Sequence, residues 1–123
     1  MNARTDKENE MDLMAVSRER GVTVIAPTVR RLDAAVAPGF KQAVVRVIEG
    51  GDKRLVLDLA GVEFLDSSGL GAMVSILKAL GTQGAVAVCN VKGAVLSLFQ
   101  LTRMDKVFTI LPGRAEAVAR LAG

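Results

Sequence analysis

Asp66, Ser67 and Ser68 stand side by side where a loop gives way to Gly69-Leu70-Gly71 and a helix-spaced apolar run. Side chains of this type do two kinds of chemistry at such a junction. Their oxygens can accept hydrogen bonds from the free amides of a first helical turn. A serine hydroxyl can also receive a phosphoryl group, which adds about −1.5 to −2 charges and three strong acceptors. One cap residue suffices, so three together leave at least one hydroxyl free to face outward. Ser68, deeper in the turn, is expected to bond the amides, leaving Ser67 as the acceptor. A phosphate there meets the positive end of the helix dipole, so the fold tolerates it. A partner docked on the helix would instead meet a desolvated dianion, and that combination makes a binding switch.

The helix behind these serines supports a docking role. Leu70, Met73, Val74, Leu77 and Leu80 form its expected buried stripe. The positions off that stripe are Gly71, Ala72, Ser75 and Ala79, with Lys78 the only charge. A solvated face ordinarily carries Lys, Glu or Arg. Small uncharged side chains let another surface come close to the backbone, so Gly71, Ala72 and Ser75 are expected to contact a partner.

The elements that position this junction follow from periodicity. Leu13 to Val16 and Val22 to Ala26 read as two strands joined by a tight turn at Arg20-Gly21, with the glycine supplying the positive φ. Val36, Phe40, Val44, Val47 and Ile48 mark one face of a first helix. Pro38 is tolerated only in a first turn, so that helix should start near Asp33 to Val36, with Asp33 as its cap or first-turn acid. Gly50-Gly51 ends it. Leu55 to Leu59 is a buried strand broken once by Asp58, and Ala60 to Leu65 is a loop. After the second helix come a strand at Ala85 to Cys89 and a third helix capped by Asn90, bearing Val95, Leu98, Phe99 and Thr102. Val107 to Ile110 is a last strand, and Pro112 to Leu121 a helix with proline in its first turn. The order β-β-α-β-α-β-α-β-α predicts an α/β domain, a mixed, mainly parallel sheet of four to five strands with four helices. Residues 1–10 read as a flexible N-terminal tail and 11–123 as the single domain.

Composition narrows the function. A chain of 123 residues, half of them apolar, folds as one globular domain. The formal charge of +3 is spread along the chain, and Phe40, Phe64, Phe99 and Phe108 each fall in an apolar pattern and read as core. Direct nucleic-acid binding, which pairs clustered cations with stacking aromatics, is therefore not expected. There is no histidine, and the lone Cys89 lies in an apolar strand, so neither a metal site nor a thiol nucleophile is expected. No Gly-rich phosphate loop occurs, and no cofactor is implied. Adjacent Asp66 and Ser67 lack the third, orienting group of a nucleophile–base set, so an enzyme is not expected. Asp58 at a strand end invites comparison with a response-regulator receiver, but the acidic pair and the lysine that such a metal-dependent acceptor needs are missing. Met1 to Asp12 is polar, without the apolar core of a secretory signal, and no run is long enough to span a membrane. A cytoplasmic protein is expected.

The stretch from Val56-Leu57-Asp58-Leu59 to Phe64-Leu65-Asp66-Ser67-Ser68-Gly69-Leu70-Gly71 resembles the signature of the STAS family, and of its anti-sigma factor antagonists in particular. By element order the resemblance extends over roughly residues 12 to 122. It implies that Ser67 is phosphorylated by an anti-sigma factor that is also a serine kinase, and that a PP2C-type phosphatase removes the phosphate. The unphosphorylated form would bind the anti-sigma factor and free a sigma factor. Asp66 would be the acid beside the acceptor, with Ser68 in the same contact region and Gly69 shaping the start of the docking helix. The resemblance also places Asp33 near the kinase, within a segment that is usually Gly-Glu-Leu-Asp. Here that segment is Arg30-Arg31-Leu32-Asp33, which reverses charge beside the implied interface. The alternative within the same family is a scaffolding subunit of a lipid or anion transporter or of a stress-sensing complex.

Overall fold

In the computed structural model, which describes residues 13–122, strands β1 (Met14–Glu19) and β2 (Val22–Pro27) form an antiparallel hairpin. Its two-residue turn holds both Arg20, at φ 53°, and Gly21, at φ 78°, in the left-handed region. A type I′ hairpin turn requires positive φ at both central residues, so arginine shares a burden expected of the glycine alone. Next come β3 (Arg31–Leu32), α1 (Ala37–Glu49), β4 (Arg54–Asp58), β5 (Phe64–Leu65), α2 (Ser67–Leu80), β6 (Ala85–Cys89), α3 (Gly93–Leu101), β7 (Thr109–Leu111) and α4 (Arg114–Ala122).

The main sheet has five strands in the order β1-β2-β4-β6-β7, parallel except for β1. Alternation along the strands divides the core in two. Ile25, Leu55, Leu57, Val86 and Val88 point to one face and pack with Phe40 and Val44 of α1, Met73 and Ile76 of α2 and Phe99 of α3. Val22, Val24, Val56, Ala87 and Cys89 point to the other, where Ala117 and Val118 of α4 cover them. Burial also drives the Cys89 thiol up to about 12, so it stays a neutral, packed hydrophobe.

Several local expectations change. The segment 60–65 contains β5, which pairs in parallel with β3 as a second, two-stranded sheet. Helix α1 begins at Ala37 with Pro38 in its first turn, and Val36, not Asp33, is the cap residue, without a side-chain bond. Asn90 does not cap α3 either; it adopts φ 58° directly after β6, and the cap position belongs to Lys92. The last strand starts later than expected because a short 3-10 turn at Met104–Lys106 absorbs the preceding residues, leaving Val107 half exposed. Pro112 lies ahead of α4 instead of inside it. Phe40, Phe99 and Phe108 are buried, the last two in edge-to-face contact at 6.1 Å. Phe64 is not core: it is 36% exposed and carries the Arg31 guanidinium 3.9 Å above its ring. The expected tail at residues 1–10 lies outside the described residues.

Candidate functional site

Asp66 enters α2 in extended backbone geometry, and its Oδ1 accepts a hydrogen bond from the Gly69 N–H at 3.0 Å. Its carbonyl accepts from the Leu70 N–H at 3.0 Å, the first bond of the helix. The cap is thus completed by Asp66 alone, not shared with Ser68. Ser67 is exposed at the first helical position and Ser68 is half-buried. Neither hydroxyl has a hydrogen-bond partner among the described residues.

Gly69 fixes how closely this turn approaches the rest of the fold. A Cβ there would collide with the Leu32 carbonyl oxygen and the Leu65 Cδ1. The helix start is therefore pressed onto the small sheet, whose register pairs Arg31 with Phe64 and Leu32 with Leu65. Beyond that register the Asp66 N–H donates to the Leu32 carbonyl at 3.4 Å, so Asp66 contacts the residue just before Asp33. Asp33 does a different job from the one predicted. Its Oδ1 accepts from the Ala35 N–H at 3.1 Å, and its carbonyl accepts from Val36 and Ala37, so it shapes the turn leading into α1. Its Oδ2 lies 3.4 Å from Arg31 Nε, which places Arg31 between a carboxylate and the Phe64 ring. Arg30 is exposed, and its carbonyl accepts from the Glu63 and Phe64 amides.

The outer surface of α2 has two rows with different surroundings. Ser67, Gly71 and Lys78 are exposed, and a Cβ on Gly71 would meet nothing within 4 Å. Ser68, Ala72, Ser75 and Ala79 turn toward α1. Ala72 is only 6% exposed, so it is not on an open face as expected from its size. With Ser68 and Ser75 it lines a depression of about 210 Å³ whose other wall is Ala37, Pro38 and Lys41. A second depression of about 650 Å³ continues past Ser75 to Lys78 and Ala79, facing Gln42 and Val45. Met73, Leu70 and Leu80 are buried as predicted, Val74 and Leu77 only partly, and Ile76 completes the stripe.

A polar cluster that sequence reasoning left out ties the sheet to α4. Asp58 is 5% exposed. Its Oδ1 accepts from Asn90 Nδ2 at 2.8 Å and from the Ala60 N–H at 3.1 Å, and its Oδ2 accepts from Arg114 Nε at 2.9 Å. Burial pushes this carboxyl up, but the bonds from Asn90, Ala60 and Arg114 outweigh it and hold the group below the ordinary aspartate range. The signals available were a lone acid inside an apolar strand and an asparagine just after the next strand. With both its oxygens engaged, Asp58 reads as a clamp on the strand ends.

Chemically, the junction offers an exposed hydroxyl at a helix start, relieved of capping by its neighbour and set beside a groove. The STAS domain pattern matches residues 14–117. Among curated relatives, BtrV of Bordetella bronchiseptica, a candidate anti-sigma factor antagonist, is 26% identical over 72% of this chain and 77% of its own length. The anti-sigma F factor antagonist of Paenibacillus polymyxa is 31% identical over 56% of this chain and 60% of its own. The crystal structure of an anti-sigma factor antagonist from Mycobacterium paratuberculosis superimposes with a TM-score of 0.82 at 29% identity, covering 89% of this chain and 93% of that one. A family pattern spanning most of the chain, on the fold just described, makes the protein a member of the STAS domain family.

Proposed function

We propose that this chain is an anti-sigma factor antagonist whose grip on its partner is released by phosphorylation of Ser67. The observation that carries the reading is the division of labour at the helix start: Asp66 Oδ1 holds the Gly69 amide, while the Ser67 hydroxyl is exposed and unbonded among the described residues. The similarity to proteins named anti-sigma factor antagonists supplies the class of partner. In this reading the anti-sigma factor is also the serine kinase, and a PP2C-type phosphatase resets the site. The chain is the substrate of that chemistry and catalyses none of it, and it works in the cytoplasm.

The docking surface consists of Asp33 and Asp66 with Ser67, Ser68, Gly69, Gly71, Ala72 and Ser75 of α2. Gly71 permits close backbone approach there, because nothing among the described residues lies within 4 Å of where its Cβ would be. A phosphate on Ser67 sits at the positive end of a 14-residue helix, where it is tolerated. The docked partner would lose contact, because a dianion at a desolvated interface is costly. Incubation with the cognate anti-sigma kinase and ATP, followed by peptide mass spectrometry, tests the assignment. One phosphate on Ser67 is expected; a phosphate on Ser68, or only elsewhere, would overturn it.

A further inference from the structure

We infer that the groove between α1 and α2 receives an acidic segment of the docked partner, one that sets carboxylates on either side of small apolar side chains. This deepens the proposed function, since it rests on α2 being the docking face, but it does not depend on phosphorylation. The floor of the groove is small and largely apolar, with Ala37, Pro38 and Ala72 at one end and Val45 and Ala79 at the other. Its charged lining consists of Lys41 and Lys78, with no carboxylate contributed by either wall. Neither lysine is paired with an acid among the described residues.

Two unpaired ammonium groups beside an apolar floor select for a partner of opposite sign. A second copy of this chain would bring the same two lysines to the same place, so self-association through this groove is disfavoured. Ser68 and Ser75 lie on the α1 side of the helix and add hydroxyls that can donate to a carboxylate. Ser67 belongs to the other row, with Gly71, and lines neither end of the groove. The two adjacent serines thus serve different surfaces: one is the modified edge of the interface, the other part of its charge-selective groove.

The test is an NMR titration of the ¹⁵N-labelled full chain with a synthetic helical peptide bearing alanine and leucine on one stripe and flanking glutamates. A second peptide replaces each glutamate with glutamine. The glutamate peptide is expected to shift amides of residues 37–45 and 72–79 and to bind at least tenfold more tightly than the glutamine peptide, with the difference shrinking at high salt. Lys41→Gln with Lys78→Gln should remove that preference while leaving the thermal melt in place. Equal binding of the two peptides, shifts centred elsewhere, or a preference that survives the double lysine variant would overturn the inference. Because no kinase is involved, failure here leaves the Ser67 assignment standing, and failure of phosphorylation leaves this result interpretable.

Discussion

The carboxylate of Asp66 holds the amide of Gly69 at 3.0 Å, and this single bond releases the two serines between them in sequence from capping. The helix needs an oxygen at its start, and the residue before Ser67 provides it. Removing the Asp66 carboxylate should therefore cost stability, and removing the Ser67 hydroxyl should not. Asp66→Ala is expected to lose about 1 kcal/mol in urea unfolding, the ordinary worth of a cap. Ser67→Ala should stay within about 0.5 kcal/mol of the parent, as exposed substitutions do.

Gly69 and Gly71 sit two positions apart on one helix and should respond to alanine in opposite directions. At Gly69 the added methyl collides with the Leu32 carbonyl and Leu65, so Gly69→Ala is expected to cost about 1–3 kcal/mol as overpacking. At Gly71 the space is open, so alanine should stabilise the helix by up to about 1 kcal/mol through its higher propensity. Denaturant midpoints of the two variants check the pair. If Gly71→Ala also weakens partner binding, the glycine serves the interface at the expense of the fold.

The Asp58 clamp predicts how stability follows pH. Its folded carboxyl ionises below the ordinary aspartate value, so its contribution is fully present above the unfolded value of about 3.9. That contribution is lost as pH falls through the lower, folded value. Asp58→Asn should therefore destabilise at pH 7, by about 1–3 kcal/mol for bonds to a charged group. The gap from wild type should narrow below about pH 4. Asp52, held low by Arg18 and Thr23, acts in the same window, so the variant keeps part of the acid slope. Unfolding curves at pH 7 and pH 3 decide it.

Arg30 and Arg31 flank the proposed interface differently. Arg31 is engaged by Asp33 and Phe64, whereas Arg30 extends into solvent and enters no ion pair among the described residues. Charge reversal at Arg30 should change the rate and salt dependence of partner association, with little effect on stability. Arg31→Glu adds a repulsion toward Asp33 and should lower stability as well. Stopped-flow association at low and high salt, beside thermal melts, separates the two.

How far the sequence reached depended on the kind of signal. The strands and helices were legible because each carries a run or a 3.6-residue repeat of large apolar groups, as Val36, Phe40, Val44 and Ile48 do. Strands β3 and β5 were not, since two residues hold no period and their pairing is a tertiary fact. Asp33 and Asn90 each precede a helix and so resemble caps. Their roles were instead fixed by the turn into α1 and by the buried Asp58 carboxylate. Ala72 was misplaced because alanine sits equally well inside or outside; only the approach of α1 decides that it is 6% exposed. Ala72→Arg is expected to strain the α1–α2 contact, so Ser75→Glu, half-buried in the same row, is the gentler probe of the groove. The Asp66-Ser67 junction was legible as a cap with a hydroxyl to spare, but not which of the two serines faced the groove.

The central claim is that one modification at Ser67 governs docking without disturbing the fold. The most direct measurement is the affinity of the cognate anti-sigma factor for the chain before and after stoichiometric phosphorylation, by calorimetry, with melting temperatures recorded for both forms. The account predicts binding at least tenfold weaker for the phosphorylated chain and a melting temperature little changed. Equal affinity for the two forms, or a loss of binding that tracks unfolding, would contradict it.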